Sequence, residues 1–357
     1  MLTNKFKINY SIGSIANGIK TDTFTFFLLF FYSNIIGLKP ALAGLAIFIA
    51  LCIDAVTDPL MGTISDRTKS SLGRRHPYML ISFIPMSLGY VFLFAPRQDW
   101  DMSQNDLFVW MTIFTILTRI GMTLFDIPHR AFGGEVTKNY KERTLLMSWR
   151  EMVGWVAGLS NAFLGYGIFF ASTPEYPQGQ LNPDAWFPFA VTGAIFMILS
   201  VLYSSLSTKD EIKSLSKWSG SISLIDILKE IKIAVGNKSF LIFFFGNLFL
   251  SLAWGLANTL TLFVNTYFWE FEATQIKYFL PIYLLATLAA FYLTPRLVSV
   301  FDKRRLVLIS IVMVGLLSPA AFIMFNLGLT PEKGLSLIHI SEPTRRTPIS
   351  YAVFCLK

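Results

Sequence analysis

Long apolar segments alternate with short polar connections along most of the chain. A helix that crosses a membrane needs about 20 mostly apolar residues. The segments that meet this requirement are residues 10–36, 41–64, 78–96, 107–132, 146–172, 186–206, 240–269, 276–300 and 306–325. The pattern therefore predicts an all-α polytopic membrane protein with nine spans.

The composition indicates that lipid, rather than water, surrounds most of this chain. Of the 357 residues, 54% are hydrophobic and 15% are charged, and the mean hydropathy is +0.55. Soluble domains average about 25% charged residues. The formal net charge of +8 comes from basic residues in the short connections, which favours a role in membrane topology over nucleic-acid binding. We expect a lipid bilayer as a partner and no nucleic acid.

The distribution of basic residues predicts the orientation in the membrane. If the N-terminus is cytoplasmic, 20 of the 30 Lys and Arg residues fall on the inner side. The outer side then holds four, which are Lys39, Arg97, Lys277 and Lys333. Cytoplasmic connections carry an excess of Lys and Arg. We therefore expect a multi-pass protein of the inner (cytoplasmic) membrane with a cytoplasmic N-terminus.

The longest connection, residues 207–239, separates six spans from three. Within it, apolar residues of the stretch 222–232 recur at helical spacing, which predicts a helix lying on the membrane face. The predicted divisions are a six-helix bundle (1–206), a cytoplasmic linker (207–239) and a partial second bundle of about three helices (240–334). This layout resembles the major facilitator fold, in which two six-helix halves surround a central cavity.

Residues 335–357 have a different origin, to judge from their possible codons. Back-translated, LSLIHISEPTR and ISYAVFCLK fit the two ends of a transposase-type sequencing adaptor, in one frame and in the right order. We therefore expect this tail to be non-native and the natural gene to be cut off near Gly334. His339 and Cys355 are consequently not candidate functional residues.

Paired carboxylates in the second span are the most informative charges inside the membrane. Asp54 and Asp58 are four residues apart, so they lie one turn apart on the same helical face. An ionised group at mid-bilayer costs about 2.5–3.5 kcal/mol on insertion scales and needs a partner or a function. A Na⁺ ion or a proton would relieve the repulsion between the two acids. Alternatively, they pair with Arg119, Arg150 or a lysine of the second half and only hold helices together.

The fourth and fifth spans carry a second polar group. Arg119, Thr123 and Asp126 fall on one stripe of the fourth span, where they would suit a cation or the hydroxyls of a sugar. An ion pair between Arg119 and Asp126 without a ligand is the alternative. Arg150 follows Trp149 in the fifth span; the indole offers an apolar face to a sugar ring, or anchors the helix at the interface.

These residues belong to motifs that resemble those of a known family. Asp54-Ala-Val-Thr-Asp58-Pro59, continued by the loop through Gly73-Arg74-Arg75-His76-Pro77, closely resembles the glycoside–pentoside–hexuronide:cation symporters, the melibiose permease family. Asp126-Ile-Pro128 and the stretch from Glu135 to Arg150 resemble that family as well. The likeness covers residues 1–334 and is strongest over residues 10–150.

The resemblance implies a role for each matching residue. Asp54, Asp58 and Thr123 would form the cation site, with the two aspartates as metal ligands. Asp126 and Arg150 would contact the sugar, and we add Arg119 to them as a candidate.

The chain departs from the family's pattern at three positions. Asn17 and Gly18 stand where the melibiose permease has adjacent Lys and Asp, so half of that sugar clamp is absent. Asp22, one turn further along, is a candidate substitute and therefore a further substrate-binding candidate. Arg130 replaces an aromatic sugar platform. These changes argue against a simple galactoside and leave the substrate open.

The loop between the second and third spans is the predicted gate. It contains Asp66, Arg67, Gly73, Arg74 and Arg75. The family implies alternating access, in which such a charged loop pairs across the two halves in one state and releases in the other. Alternatively, the loop only fixes the topology.

The sequence thus predicts a secondary transporter that couples Na⁺, Li⁺ or H⁺ to the symport of a sugar, glycoside or sugar acid. A lipid or lysolipid transporter of the same fold and a non-transporting membrane sensor are the alternatives. The chain shows no metal-ligand cluster, nucleophile elbow or phosphate loop, so we expect no enzymatic activity and no cofactor besides the coupling ion.

Overall fold

The computed structural model describes residues 2–214, 233, 235–271, 273–301, 303–317, 320, 323–324 and 327. Within these residues the chain forms nine helical rods and no strand. The predicted all-α architecture is therefore confirmed. The predicted surface helix at 222–232 and the tail at 335–357 lie outside the described residues.

The first rod is composite, whereas most of the others are continuous. Helix α1 joins Asn4–Ile12, Ser14–Asp22 and Leu28–Phe30 through the π-helical turns Thr23–Phe27 and Phe31–Ile36. The remaining rods are α2 (Pro40–Arg67), α3 (His76–Ile81 and Phe83–Leu93), α4 (Gln104–Glu135), α5 (Tyr140–Leu164 with the π turn Gly165–Phe169), α6 (Trp186–Ser207), α7 (Lys238–Phe263 with the π turn Val264–Phe268), α8 (Ala273–Val300) and α9 (Lys303–Leu317).

Six helices in the described part are long and apolar enough to cross a membrane. They are Pro40–Arg67, His76–Leu93, Gln104–Glu135, Glu142–Phe169, Pro183–Glu211 and Lys238–Phe268. Helix α1 is not among them, because its polar residues lower its hydropathy; α8 and α9 contribute the shorter apolar stretches Pro281–Leu293 and Arg305–Leu317. The protein is therefore a multi-pass membrane protein.

Helices α1–α6 pack into one bundle. Helix α4 lies along both α2 and α3, while α1 packs against α5 and α6. The crossing of α1 and α5 is unusually close, since a Cβ atom on Gly18 would collide with the backbone carbonyl of Gly154. Ser14 also donates a hydrogen bond from Oγ to the backbone oxygen of Arg150 at 2.6 Å. Backbone contact of this kind is typical of small residues at helix crossings in membranes.

Helix α8 packs along α5, and α7 is hydrogen-bonded to the first bundle at one end of it. We call the end at which α1 finishes, at Ile36, the distal end; the N-terminus lies at the opposite end. There the Nε2 of Gln180, which is fully buried, donates to Oγ1 of Thr266 at 3.2 Å. The Tyr267 hydroxyl donates to Oδ1 of Asn34 at 2.7 Å. The first and second halves are thus joined by hydrogen bonds at the distal end.

Candidate functional site

A small polar pocket lies between α1, α2 and α4, inside the first bundle. Its volume is about 80 Å³. The lining residues are Asn17, Lys20, Asp54, Asp58, Arg119, Met122, Thr123, Asp126 and Ile127. Five of these side chains carry formal charges, and four of the five belong to α2 and α4, which are long and apolar enough to cross a membrane. Such a concentration is costly in a bilayer, which makes the pocket the candidate functional site.

The predicted cation ligands meet in this pocket. Asp54 pairs through Oδ2 with Nη1 of Arg119, and Asp58 accepts a hydrogen bond from the Thr123 hydroxyl at 2.7 Å. The second oxygen of Asp54, Oδ1, is buried and has no hydrogen-bond partner within the described residues. Arg119 therefore pairs with α2 and not with Asp126 on its own helix. This contact is the one expected if the acids hold helices together, but it leaves an unused acceptor for a cation.

The predicted sugar contacts form a second, adjoining group. Asp126 pairs through Oδ1 with Nη2 of Arg150 and accepts from Nε of Arg130 at 2.6 Å. Arg150 is almost fully buried, and its Nη1 donates to Glu151 at 2.5 Å. Its Nε also faces Nδ1 of His129 at 3.5 Å. Asp126 and Arg150 thus lie together as predicted, and Arg130, which departs from the family's pattern, binds the same carboxylate.

Lys20 belongs to the pocket, yet its role did not emerge from the sequence. It lies three residues after Asn17, so both project from the same face of α1. That spacing, together with the presence of a lysine in an apolar segment, is the signal that could have identified it. Its Nζ lies 5.8 Å from the centre of the Phe24 ring. The Cζ atom of Arg119 lies 5.6 Å from the same ring.

Asp22 lies apart from this pocket. It faces a larger cavity of about 1380 Å³ between α1, α5, α7 and α8, whose walls include the rings of Phe26, Trp149, Trp155 and Trp254. Asp22 is 7% exposed, and its Oδ2 is buried without a hydrogen-bond partner in the described part of the chain. The structure therefore does not bring Asp22 together with Asp126 and Arg150. Trp149, considered above as an anchor or a sugar platform, lines this cavity.

The packing of Gly18 against α5 explains why α1 lacks the charged residue that the melibiose permease has at this position. The backbone of α5 occupies the space in which a side chain at Gly18 would lie. Next to it, a Cβ atom on Gly158 would overlap the carboxylate of Asp22. A charged residue at position 18 is therefore incompatible with this packing.

The predicted gate forms an ionic cluster at the end of the bundle that carries the N-terminus. Arg75, which is 4% exposed, pairs with Asp66 at 2.6 Å and with Glu135 at 2.8 Å. Arg74 pairs with Glu135 as well. Gly73 has a φ of 77°, a left-handed conformation that favours glycine and turns the chain towards α3. Arg67 ends α2 at the same site.

All of these contacts lie within the first bundle. Glu135, at the end of α4, holds both arginines, and nothing at the sequence level singled it out as their partner. The predicted pairing across the two halves is not present in the described residues. In the described part, no group of three or more His, Cys, Asp or Glu side chains is placed to hold a metal ion, and the assignment of Asp54 and Asp58 as metal ligands stays a prediction.

A comparison with known families decides the identity of this fold. The sequence profile of the MFS/sugar transport proteins matches residues 9–355. The chain belongs to this family. Membership confirms the resemblance drawn from the helix-two motif and its loop, and it confirms a major facilitator fold. The match includes most of residues 335–357, whose predicted adaptor origin remains a prediction.

Individual relatives are similar over parts of their length. The chain is 32% identical over 211 residues to the uncharacterized symporter sll1374 of Synechocystis, which covers 57% of this chain and 37% of the relative. It is 29% identical over 237 residues to YagG of Escherichia coli, a putative glycoside/cation symporter, covering 66% and 49%.

It is also 30% identical over 179 residues to the sodium-dependent lysophosphatidylcholine symporter 1-A of Danio rerio, covering 48% and 32%. The chain therefore spans less than half the length of each of these three relatives.

Proposed function

We propose that the protein is a secondary transporter that couples a cation, Na⁺, Li⁺ or H⁺, to the symport of a sugar or glycoside by alternating access. The observation that carries this proposal is the charged pocket between α1, α2 and α4, which offers two carboxylates and a hydroxyl inside the membrane. The family description and the name of the Escherichia coli relative support a sugar as the substrate. The protein is not an enzyme, and the coupling ion is its only further requirement.

The proposal divides the site into two parts. The cation binds to Asp58, the Thr123 hydroxyl and the free Oδ1 of Asp54, which are hard oxygen ligands of the kind that Na⁺ accepts. The sugar lies against Asp126 and Arg150, which have to exchange part of their mutual ion pair for sugar hydroxyls. Arg119, the further sugar candidate, lies next to the cation part, because it pairs with Oδ2 of Asp54.

The larger cavity accommodates the remainder of the substrate. Its indole and phenyl rings present flat apolar faces of the type on which sugar rings or apolar aglycones stack. Asp22 would accept hydrogen bonds from substrate hydroxyls there, since it is part of the cavity lining. Asp22 thus contacts the part of the substrate in the larger cavity, whereas Asp126 and Arg150 contact the sugar at the small pocket.

The ionic cluster at Asp66, Gly73, Arg74 and Arg75 is the gate in this proposal. It lies at the end of the bundle that carries the N-terminus, which we place in the cytoplasm of the cell with the bundle in the inner membrane. Because Arg75 is already neutralised by Asp66 and Glu135, opening or closing has to rearrange a pre-formed set of ion pairs. Arg67 would join that rearrangement from the end of α2.

Transport by the full-length gene product in proteoliposomes tests whether cation binding and sugar binding depend on separate residues. Asp58→Asn removes a cation ligand, so we expect sugar exchange to survive while ion-driven accumulation is lost. Asp126→Asn should instead weaken sugar binding and leave ion binding intact. Asp99→Asn is the matched control, because Asp99 lies in an exposed turn outside the pocket. Unchanged, ion-stimulated accumulation by Asp58→Asn would show that the acids are structural.

A lysolipid is the second candidate substrate. The similarity to the Danio rerio symporter and the apolar walls of the larger cavity favour it. Uptake of a fluorescent lysophospholipid by the same proteoliposomes, without competition from glycosides, would select it over a sugar.

A further inference from the structure

Lys20 is a cation inside the membrane that the transport scheme above does not use. It lines the same pocket as Asp54 and Asp58, yet it forms no ion pair with any carboxylate of the described residues. Its ammonium lies instead near the face of Phe24, one turn along α1. Arg119 approaches the same ring, so one phenyl group attracts two cations. Lys20 is therefore held next to the acids without being bound to them.

Asp54, Asp58 and Arg119 together leave a place for one more cation. Asp54 and Asp58 carry two negative charges, and Arg119 neutralises one of them through its ion pair with Asp54. The Thr123 hydroxyl adds a hydrogen bond to Asp58 but no charge. The buried Oδ1 of Asp54 has no partner within the described residues. Among Asp54, Asp58 and Arg119, one negative charge and one free acceptor therefore remain in a region of low dielectric, where they are costly unless Lys20 or a coupling ion binds them.

The Lys20 side chain can move from Phe24 to the carboxylates of Asp54 and Asp58, because all three line or adjoin the same pocket. Its ammonium sits on a flexible four-carbon stem and can rotate between neighbouring partners. Phe24 is on the same helix as Lys20, whereas Asp54 and Asp58 are across the pocket on α2. The side chain can thus lie over the ring when a coupling ion is present, and on the carboxylates when the ion has left.

We propose that Lys20 is a tethered cation that competes with the coupling ion for Asp54 and Asp58. This inference rests on the proposed cation symport and adds to it the means by which the empty carrier is neutralised. An arriving ion displaces the ammonium onto Phe24; a departing ion is replaced by it. The two carboxylates then have a cation as partner in both halves of the transport cycle, which lowers the cost of returning the site across the membrane without the ion.

Sodium binding to the purified full-length protein in lipid nanodiscs tests this competition. Radioactive sodium alone is the probe, in a scintillation proximity assay without sugar, at constant pH. Lys20→Met removes the charge and keeps most of the length, so we expect sodium to bind about tenfold or more tightly. Lys20→Arg retains the charge and should keep the weaker binding of the wild type. Unchanged or weaker sodium binding by Lys20→Met would overturn the proposal.

A second variant acts in the opposite direction. Phe24→Leu removes the ring that attracts the ammonium, so Lys20 should stay longer on the carboxylates and sodium should bind several-fold more weakly. If Lys20→Met does not fold, this variant decides: weaker binding supports the competition, whereas equal or tighter binding overturns it.

The failure of the proposed function looks different from the failure of this inference. Asp58→Asn should abolish sodium binding if the pocket is the cation site, whatever the role of Lys20. If Asp58→Asn abolishes binding but Lys20→Met does not change it, only the tethered-cation proposal is wrong. If neither the wild type nor Lys20→Met binds sodium, both are wrong for this ion. If the wild type binds none and Lys20→Met does, the tethered cation is supported directly.

Discussion

The ion pair between Asp54 and Arg119 should contribute more to stability than the neighbouring hydrogen bond between Thr123 and Asp58. The Asp54 side chain is 20% exposed and that of Arg119 is 12% exposed, so the pair is largely withdrawn from solvent. Asp54→Asn would leave the guanidinium charged, buried and without its carboxylate. Breaking a fully buried pair costs about 3–5 kcal/mol, and the residual exposure here reduces the expected loss to about 2–4 kcal/mol.

A double-mutant cycle separates this effect from a general loss of packing. Asp54→Asn/Arg119→Gln removes both charges, so we expect it to recover most of the stability that either single variant loses. Asp58→Asn is the matched comparison, because the Asp58 carboxylate has a hydroxyl as its partner in place of a guanidinium. Asparagine still offers an oxygen to the Thr123 hydroxyl, so replacing the charged acceptor by a neutral one should cost at most about 1 kcal/mol.

The assay is reversible unfolding in mixed micelles of increasing denaturing detergent, followed by tryptophan fluorescence. The expected order of stability is wild type, then Asp58→Asn and the double variant, then Asp54→Asn. Equal stability of Asp54→Asn and Asp58→Asn would refute the reasoning. So would strictly additive losses in the double variant, because the two side chains would then contribute independently.

Three further outcomes follow from other parts of the structure. Gly18→Val should destabilise the first bundle by several kcal/mol in the same unfolding assay, because its side chain would overlap the carbonyl of Gly154. Gln180→Ala should make the distal end more accessible to a thiol reagent, measured at a cysteine introduced at Val264 in the same π turn, because the hydrogen bond from Gln180 to Thr266 is lost. Amplification from source DNA should give a sequence different from residues 335–357; the same residues in an adaptor-free read would contradict the predicted origin of the tail.

Hydropathy was enough to predict the helices of this protein. Each predicted apolar segment corresponds to one rod, because a bilayer permits few other backbone structures. The ends are less well determined: α3 begins at His76 and α4 continues to Glu135, beyond the apolar positions. Polar residues extend these helices at little cost, so composition does not mark their ends. The division into residues 1–206, 207–239 and 240–334 remains a proposal.

The pocket was predictable only in part. The four-residue spacing of Asp54 and Asp58 places both on one face of α2, and the stripe that includes Thr123 follows from the same periodicity. Which charges would pair did not follow, because it depends on how far each helix is rotated and shifted along its neighbour. Thus Arg119 reaches Asp54 on another helix. Asp22 faces the larger cavity, because the close approach of α5 determines which side of α1 is covered.

The π-helical turns in α1, α5 and α7 have a consequence for comparing this chain with its relatives. Each such turn places an additional residue in one helical turn, which is equivalent to a single-residue insertion. Every residue beyond it is rotated by about 100° relative to an uninterrupted α-helix. A helical wheel drawn through residues 14–36 as plain α-helix therefore assigns the distal residues to the wrong faces. Alignments without a gap at these turns would pair residues that do not occupy equivalent positions around the cavity.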